Sequence, residues 1–334
     1  MTRTGGRKTT AVAGLAALSI LALWTAPGRL SAQSLDIPSK DWGLSFGNSK
    51  SFTGLRFNFR DSRVERVTGI NVTLWMPRKD NEGAVVTGLS LGAVPRGGRL
   101  RGVQLGLLGV GADSSLTGLS VGGLGAGAGD DVKGIALALA GVGAGENLRG
   151  IAIAGLGAGA GENVTGLLAG GLGVGAGEDL TGIAFGGLGA GAGENITGLV
   201  VGGLGAGCGE NLVGIGIGGL GVGAGGRIEG IVVAGLGAGA PEIRGLALCG
   251  LGVGGEDLRG AFLAFGTVHV AKGGRLTGLA ASAFNYCRGT VSGLSIGIVN
   301  YAWKIEKGVQ LGLVNIVRDN PKGLRVLPVF NTRF

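Results

Sequence analysis

The chain has 334 residues, 78 of them glycine, with 45% hydrophobic residues, a mean hydropathy of +0.44 and a formal net charge of +8. Glycine at this density without a strict Gly-X-Y period and abundant proline excludes a collagen triple helix, and the positive hydropathy excludes a disordered chain. The charge is segregated, +4 over residues 33–115, −7 over 116–260 and +7 over 261–334, so the net excess does not describe a basic face for nucleic acid, and no nucleic-acid partner is expected.

At the start of the chain Arg3, Arg7 and Lys8 precede the apolar run AVAGLAALSILALW, and Leu30-Ser31-Ala32 offers a small residue before a cleavage point. This layout predicts a secretory signal peptide over residues 1–32, with a mature chain beginning near Gln33. The run of about 14 apolar residues is short of the roughly 20 that span a bilayer. Export to the cell surface, outer membrane or periplasm is the expectation.

From Gly102 to Gly260 the chain repeats about every sixteen residues, as in GENLRGIAIAGLGAGA, GENVTGLLAGGLGVGA and GEDLTGIAFGGLGAGA. A self-similar unit of this size is one supersecondary element stacked on copies of itself, so the architecture is an array. One glycine tracks the repeat beyond its regular centre, through Gly54, Gly69, Gly88, Gly102, Gly118, Gly134, Gly150, Gly166, Gly182, Gly198, Gly214, Gly230, Gly245, Gly260, Gly278, Gly293, Gly308 and Gly323. The organisation read from it is an N-terminal cap segment at 33–53, irregular repeats at 54–101, regular repeats at 102–260, and divergent repeats with a cap at 261–334.

Within the unit from Leu148 to Asn163, Ile151 and Ile153 alternate with Ala152 and Ala154, a strand pattern; Leu156, Ala158 and Ala160 form a second short strand; and Gly161-Glu162-Asn163 is turn chemistry. Gly155 is placed at the bend between the strands. Helix is excluded by six or seven glycines per unit, each costing about 1 kcal/mol relative to alanine. Two all-β architectures accommodate such units. The first is a repetitive β-solenoid of about 16-residue coils, with Leu148, Ile151, Ile153, Leu156, Ala158 and Ala160 expected inward; eighteen coils at about 4.8 Å make a rod of roughly 85 Å. The alternative is an 18-stranded outer-membrane β-barrel with a pore or transport role, in which each unit crosses the bilayer once, an even strand count and the final Phe334 being in its favour. Identical GEN turns favour the solenoid, because an up-and-down barrel places successive turns on opposite membrane faces. The near absence of aromatic girdles and of a polar lumen weighs the same way. A membrane partner is expected only in the barrel case.

Chemistry is sparse. The one histidine, His269, sits in the strand-like TVHVAK, which suits an exposed or edge position better than a catalytic base. No Ser-His-Asp or Cys-His constellation can be assembled with it, and the GxGxxG matches are by-products of the repeat. No catalytic residue, cofactor-binding residue or enzymatic activity is therefore expected. Cys208, Cys249 and Cys287 lie about forty residues apart and make neither a disulfide framework nor a metal knuckle; Cys208 stands where sister repeats have Ala160, Ala176 and Ala192, as a small buried filler.

One periodic cluster draws notice. Stacked coils would align Glu146, Glu162, Glu178, Glu194 and Glu210 with Asn147, Asn163, Asp179, Asn195 and Asn211 into a ladder of carboxylates and amides spaced by roughly 5 Å. A cation such as Ca²⁺ is one relief for that repulsion. The other, favoured by the lack of a GGxGxDxUx pattern, is a solvated acidic edge screened by water, Arg149 and salt. Thr165, Thr181 and Thr197 also recur once per unit, a weak threonine array broken by Lys133, Arg149 and Val213.

The stretch from Gly293 to Phe334 carries successive GLxxGLxN-like units through Gly293, Leu294, Gly297, Asn300, Gly308, Val309, Gly312 and Asn315, and then Asn320, Pro321, Leu327, Pro328, Asn331 and Phe334. It resembles the C-terminal signature of uncharacterised bacterial surface-repeat proteins that end on an LP..N..F segment. The resemblance covers about forty residues closely and the glycine-rich units more loosely. It implies surface or envelope placement and repetitive β structure, and no known reaction. The resulting expectation is an exported, non-enzymatic envelope repeat protein with a structural or adhesive role, its partner being an unidentified envelope or surface component.

Overall fold

The computed structural model describes residues 34–334; the signal-peptide reading lies outside the described residues. Twenty-eight strands and two short 3-10 turns form one continuous hydrogen-bonded system. In the regular region each coil is a long strand, such as Leu148–Ala154, and a short strand, such as Gly157–Ala160. Two turns, Gly155-Leu156 and Gly161-Glu162-Asn163, close the coil. Long strands pair with long strands in parallel one coil on, Leu148 with Val164 and Ala154 with Gly170, and short strands do the same, Gly157 with Gly173. The chain is thus a β-solenoid of about 16-residue coils. The barrel alternative is overturned, because every consecutive pair of long strands in the repeat is parallel and in like-for-like register, where a barrel requires antiparallel neighbours.

The glycine that tracks the repeat is the structural signature of each rung. Gly54 to Gly308 all adopt φ between 111° and 145° in the long strand, preceded by Gly43 at 117°, which makes eighteen rungs. Gly43 starts the series, one rung before the first glycine that the sequence period marks, and Gly323, the last glycine of that period, lies instead in the 3-10 turn Lys322–Leu324. The reason for glycine is twofold. The left-handed φ is costly for any L side chain, and a Cβ at Gly198, for example, would overlap the carbonyl oxygen of Gly182 one rung below.

Inward and outward rows depart from the expected set in an informative way. Leu148 is inward, so strand alternation also sends Gly150, Ala152 and Ala154 inward and Arg149, Ile151 and Ile153 outward. Ile151, Ile153 and Leu156, expected in the core, are exposed; Leu148, Ala152, Ala154 and Ala158 are buried, and Ala160 packs partly buried against them. Leu148 and Ile151 are three residues apart and cannot share a face of one strand. The row of Leu148, Leu180, Ile196 and Leu212 is filled by large side chains in every regular coil, whereas the row opposite the short strand takes a large one such as Leu168 or Phe262 only between rungs that carry alanine there.

That second inward row changes character along the rod. In register it runs Ser45, Arg56, Asn71, Ser90, Gln104 and Ser120, then Ala136, Ala152, Leu168, Ala184, Val200, Gly216, Val232, Ala247, Phe262 and Ala280, and ends in Ser295 and Gln310. From Leu168 onward, larger and smaller residues alternate between neighbouring rungs, so the row does not stack like on like as the repeats suggest. At the N-terminal end the fully buried Arg56 donates to Asp61 and Asn71, both at 2.7 Å. At the C-terminal end Asn285 donates to Asn300 (2.7 Å) and Asn300 to Asn315 (2.8 Å) in a buried amide ladder. These buried groups are hydrogen-bonded to one another, whereas the buried side-chain amide of Gln310 and the Nε of Arg56 have no partner. The terminal rungs are covered by antiparallel strands, Leu35–Pro38 on the first and Val326–Thr332 on the last, each carrying a proline that blunts strand addition.

Candidate interaction surfaces

The acidic ladder predicted from the turns lies along one edge of the solenoid. The backbone amides of Glu162, Glu178, Glu194 and Glu210 each donate to the carbonyl of the glutamate one coil below, at 2.8–2.9 Å, starting from Glu146. Beside them the amide row satisfies itself. Asn163 donates to Asn147 at 3.2 Å, Asn195 to Asp179 at 3.0 Å and Asn211 to Asn195 at 2.9 Å. The glutamate carboxylates remain in solvent, and the charge of Asp130, with that of Glu162, raises the pKa of Glu146 above the ordinary glutamate value. Among the described residues no three His, Cys, Asp or Glu side chains converge on one point. The edge is a row of single carboxylates, each with solvent as its nearest alternative partner.

The opposite edge is apolar. Leu156, Leu172, Leu188, Leu204, Leu220, Leu236 and Leu251 occupy the other turn in consecutive coils, linked by backbone hydrogen bonds of 2.6–2.8 Å, and all are about half exposed. The rod therefore has a leucine edge and a glutamate edge.

The largest surface lies between those edges, on the outer side of the long-strand sheet. Two outward rows run its whole length. One passes through Leu44, Ile70, Ile135, Ile151, Ile183, Ile215 and Leu279 to Val309, the other through Phe46, Val72, Ile153, Phe185, Ile217 and Ile296 to Leu311. Every position of both rows, in all eighteen rungs, is apolar. Each row extends about 85 Å at 4.8 Å per rung. A typical monomer exposes no contiguous apolar patch beyond about 300–600 Å². Sequence reasoning missed this face because it placed the large aliphatic residues inside; strict alternation from Leu148 would have found it. The threonine array, Thr165, Thr181 and Thr197, is a short segment of the polar row that borders this face, between Arg149 and Val213.

Smaller depressions line the seam between the sheet face and the leucine edge. One of about 330 Å³ lies beside Ala169 and Phe185. Another of about 710 Å³ lies near Ala281, Phe265 and Leu313. On the short-strand side the outward positions are glycines through most of the rod, and near its C-terminal end they become His269, Tyr286 and Tyr301, the first pair stacked with ring centroids 5.6 Å apart and the second tilted by 38° at 4.9 Å. His269 is thus a half-buried member of an aromatic stack. The three thiols face inward. Cys208 packs between Ala192 and Ala224, in the alanine slot the repeats assigned to it, and burial raises all three thiol pKa values, that of Cys287 to about 11.

No protein-family model, curated protein or solved structure matches the chain.

Proposed function

We propose that the protein is an exported, non-enzymatic structural element of the bacterial cell envelope or surface, a stiff rod that works by docking its long apolar face. The observation that carries this reading is the unbroken apolar character of the two outward rows over eighteen rungs. Solvent exposure of that much aliphatic surface opposes solubility, and burying it stabilises an assembly by about 25 cal/mol per Å² of apolar area removed from water. The fold itself does not need those side chains, since its core is complete in the inward rows. The secretory layout of residues 1–32 and the GLxxGLxN units near the C-terminus support placement outside the cytoplasm.

Fractionation of cells producing the full chain with an epitope tag tests the proposal. The expected result is a processed chain in the envelope fraction, released when Ile151→Asp, Ile183→Asp and Ile215→Asp are combined. An unprocessed chain in the cytosolic fraction overturns it.

A further inference from the structure

We propose that the apolar face is closed by a second copy of this chain, packed face to face and antiparallel, about a two-fold axis that crosses the rod between the rungs of Ala169 and Phe185. This names the partner for the docking reading above and rests on it.

The first argument is area. Eighteen rungs at about 4.8 Å, across five strand residues at about 3.3 Å each, present roughly 1,400 Å² per copy. A stable complex needs about 800 Å² per partner, and the facing sheets would pack as the two halves of a β-sandwich do.

The second argument is shape. Phe185 is the one aromatic side chain of the face between Gly102 and Gly260, and it stands 42% exposed. Its register partner in the adjacent rung is Ala169, the smallest residue of that row there. Beside the two lies the hollow of about 330 Å³. A knob next to a hollow in one row is self-complementary under one operation only. A two-fold axis lying in the face and running along the strands turns the rod end for end while keeping each row opposite itself. Phe185 of each copy then enters the hollow beside Ala169 of the other, the reciprocal contact an isologous interface requires. A two-fold along the rod would instead keep each rung opposite itself and set Phe185 against another row of its own rung, away from the hollow.

The third argument is position. Ala169 belongs to the ninth rung and Phe185 to the tenth of eighteen, counted by their glycines Gly166 and Gly182. The axis that seats the knob therefore also superposes the two rods along their entire length, and the leucine edges run side by side. Association at the ends is disfavoured by the antiparallel strands that cover the terminal rungs, which leaves the sides of the rod, and among these the face is broader than the single-row leucine edge.

Sedimentation equilibrium of the full chain without detergent, together with an exchange of the two residues, tests the proposal. The wild type is expected to be a dimer at micromolar concentration. Phe185→Ala, which removes the knob, and Ala169→Phe, which fills the hollow, each weaken it at least tenfold with unchanged thermal unfolding of the monomer, since both side chains point away from the core. The double exchange Ala169→Phe/Phe185→Ala restores dissociation to within about threefold of wild type, because each pair again holds one ring and one hollow. Spin labels in a Cys208→Ala background give a second readout. A label at Glu178→Cys reports a short distance across the axis, and one at Arg288→Cys reports about 70 Å, from seven rungs on either side at 4.8 Å each. A dimer that the exchange does not restore, or short distances at both labels, overturns the antiparallel geometry. A chain that stays monomeric but floats with phosphatidylglycerol vesicles overturns the second copy as occupant and leaves the docking reading standing.

Discussion

Gly216 and Val222 share one core volume. A Cβ at Gly216 would come within 2.9 Å of Val222 Cγ1 and 3.1 Å of Leu212 Cδ1, so the isopropyl group of one strand occupies the space that the other leaves. Neighbouring coils solve the same problem with other pairs, Ala184 with Ala190 and Val200 with Ala206. Gly216→Ala overpacks the coil and Val222→Ala hollows it, each expected to cost about 1–3 kcal/mol. The double substitution reproduces the Ala184/Ala190 pair and is expected to cost less than the two singles together by about 1 kcal/mol or more. Urea denaturation of the four chains measures that coupling; strict additivity would show that the two positions do not compete for volume.

Not all glycines serve the same end. Gly198 sits at φ 125° with the Gly182 carbonyl where a Cβ would go, whereas a Cβ at Gly143, on the outer side of a short strand, meets nothing within 4 Å. Gly198→Ala is expected to destabilise by about 3 kcal/mol or more, and Gly143→Ala to stay within about 0.5 kcal/mol of wild type. Thermal unfolding separates the two, and comparable losses would refute the distinction.

The N-terminal end of the core depends on one buried ion pair. Arg56 is held by Asp61, Asn71 and Asn48, and Asp61 also accepts from Asn58 and Thr73. Asp61→Ala strands a fully buried guanidinium and is expected to cost about 3–5 kcal/mol. Arg56→Met with Asp61→Leu is expected to lose much less, because no unpaired charge remains. Hydrogen exchange locates the loss: it is expected in the rungs of Gly43 to Gly88 and not in the regular repeats.

Along the glutamate edge the pH dependence has a definite sign. The pKa of Glu146 is raised in the folded chain by Asp130 and Glu162, so its ionisation opposes folding. Its contribution is favourable below the ordinary glutamate pKa and is lost as pH rises through the raised value. Glu146→Gln is therefore expected to raise the unfolding temperature slightly at pH 7 and low salt, with no gain below about pH 4, where wild-type carboxylates are protonated. At 1 M salt the gain is screened away. A gain that grew on acidification would contradict the repulsion. Asp131 works in the other direction, its pKa lowered by the hydrogen bond from Lys133, so its stabilising contribution is present at neutral pH and lost as pH falls through that lowered value.

The periodicity of glycine and of the GEN turns determined by itself that this chain is a stack of β coils, where the coils repeat, and that Glu146 to Glu210 share an edge. Those conclusions rest on local chemistry: a turn needs its residues, a left-handed rung needs glycine, and identical units need identical surroundings. Which side of each strand faces in was equally written in the alternation from Leu148 through Ala152, but was obscured by the assumption that the larger apolar residues fill the core. Only the tertiary structure decided the spacing between the two sheets. That spacing lets Leu168, Val200 and Phe262 enter the row opposite the short strand only between rungs with alanine or glycine there, and it pairs Gly216 with Val222 across the coil. It also turned Arg56 and Asn300 inward, because at the two ends of a narrow core hydrogen-bonded polar groups can replace the apolar filling, a match between distant side chains that no single unit of the repeat contains.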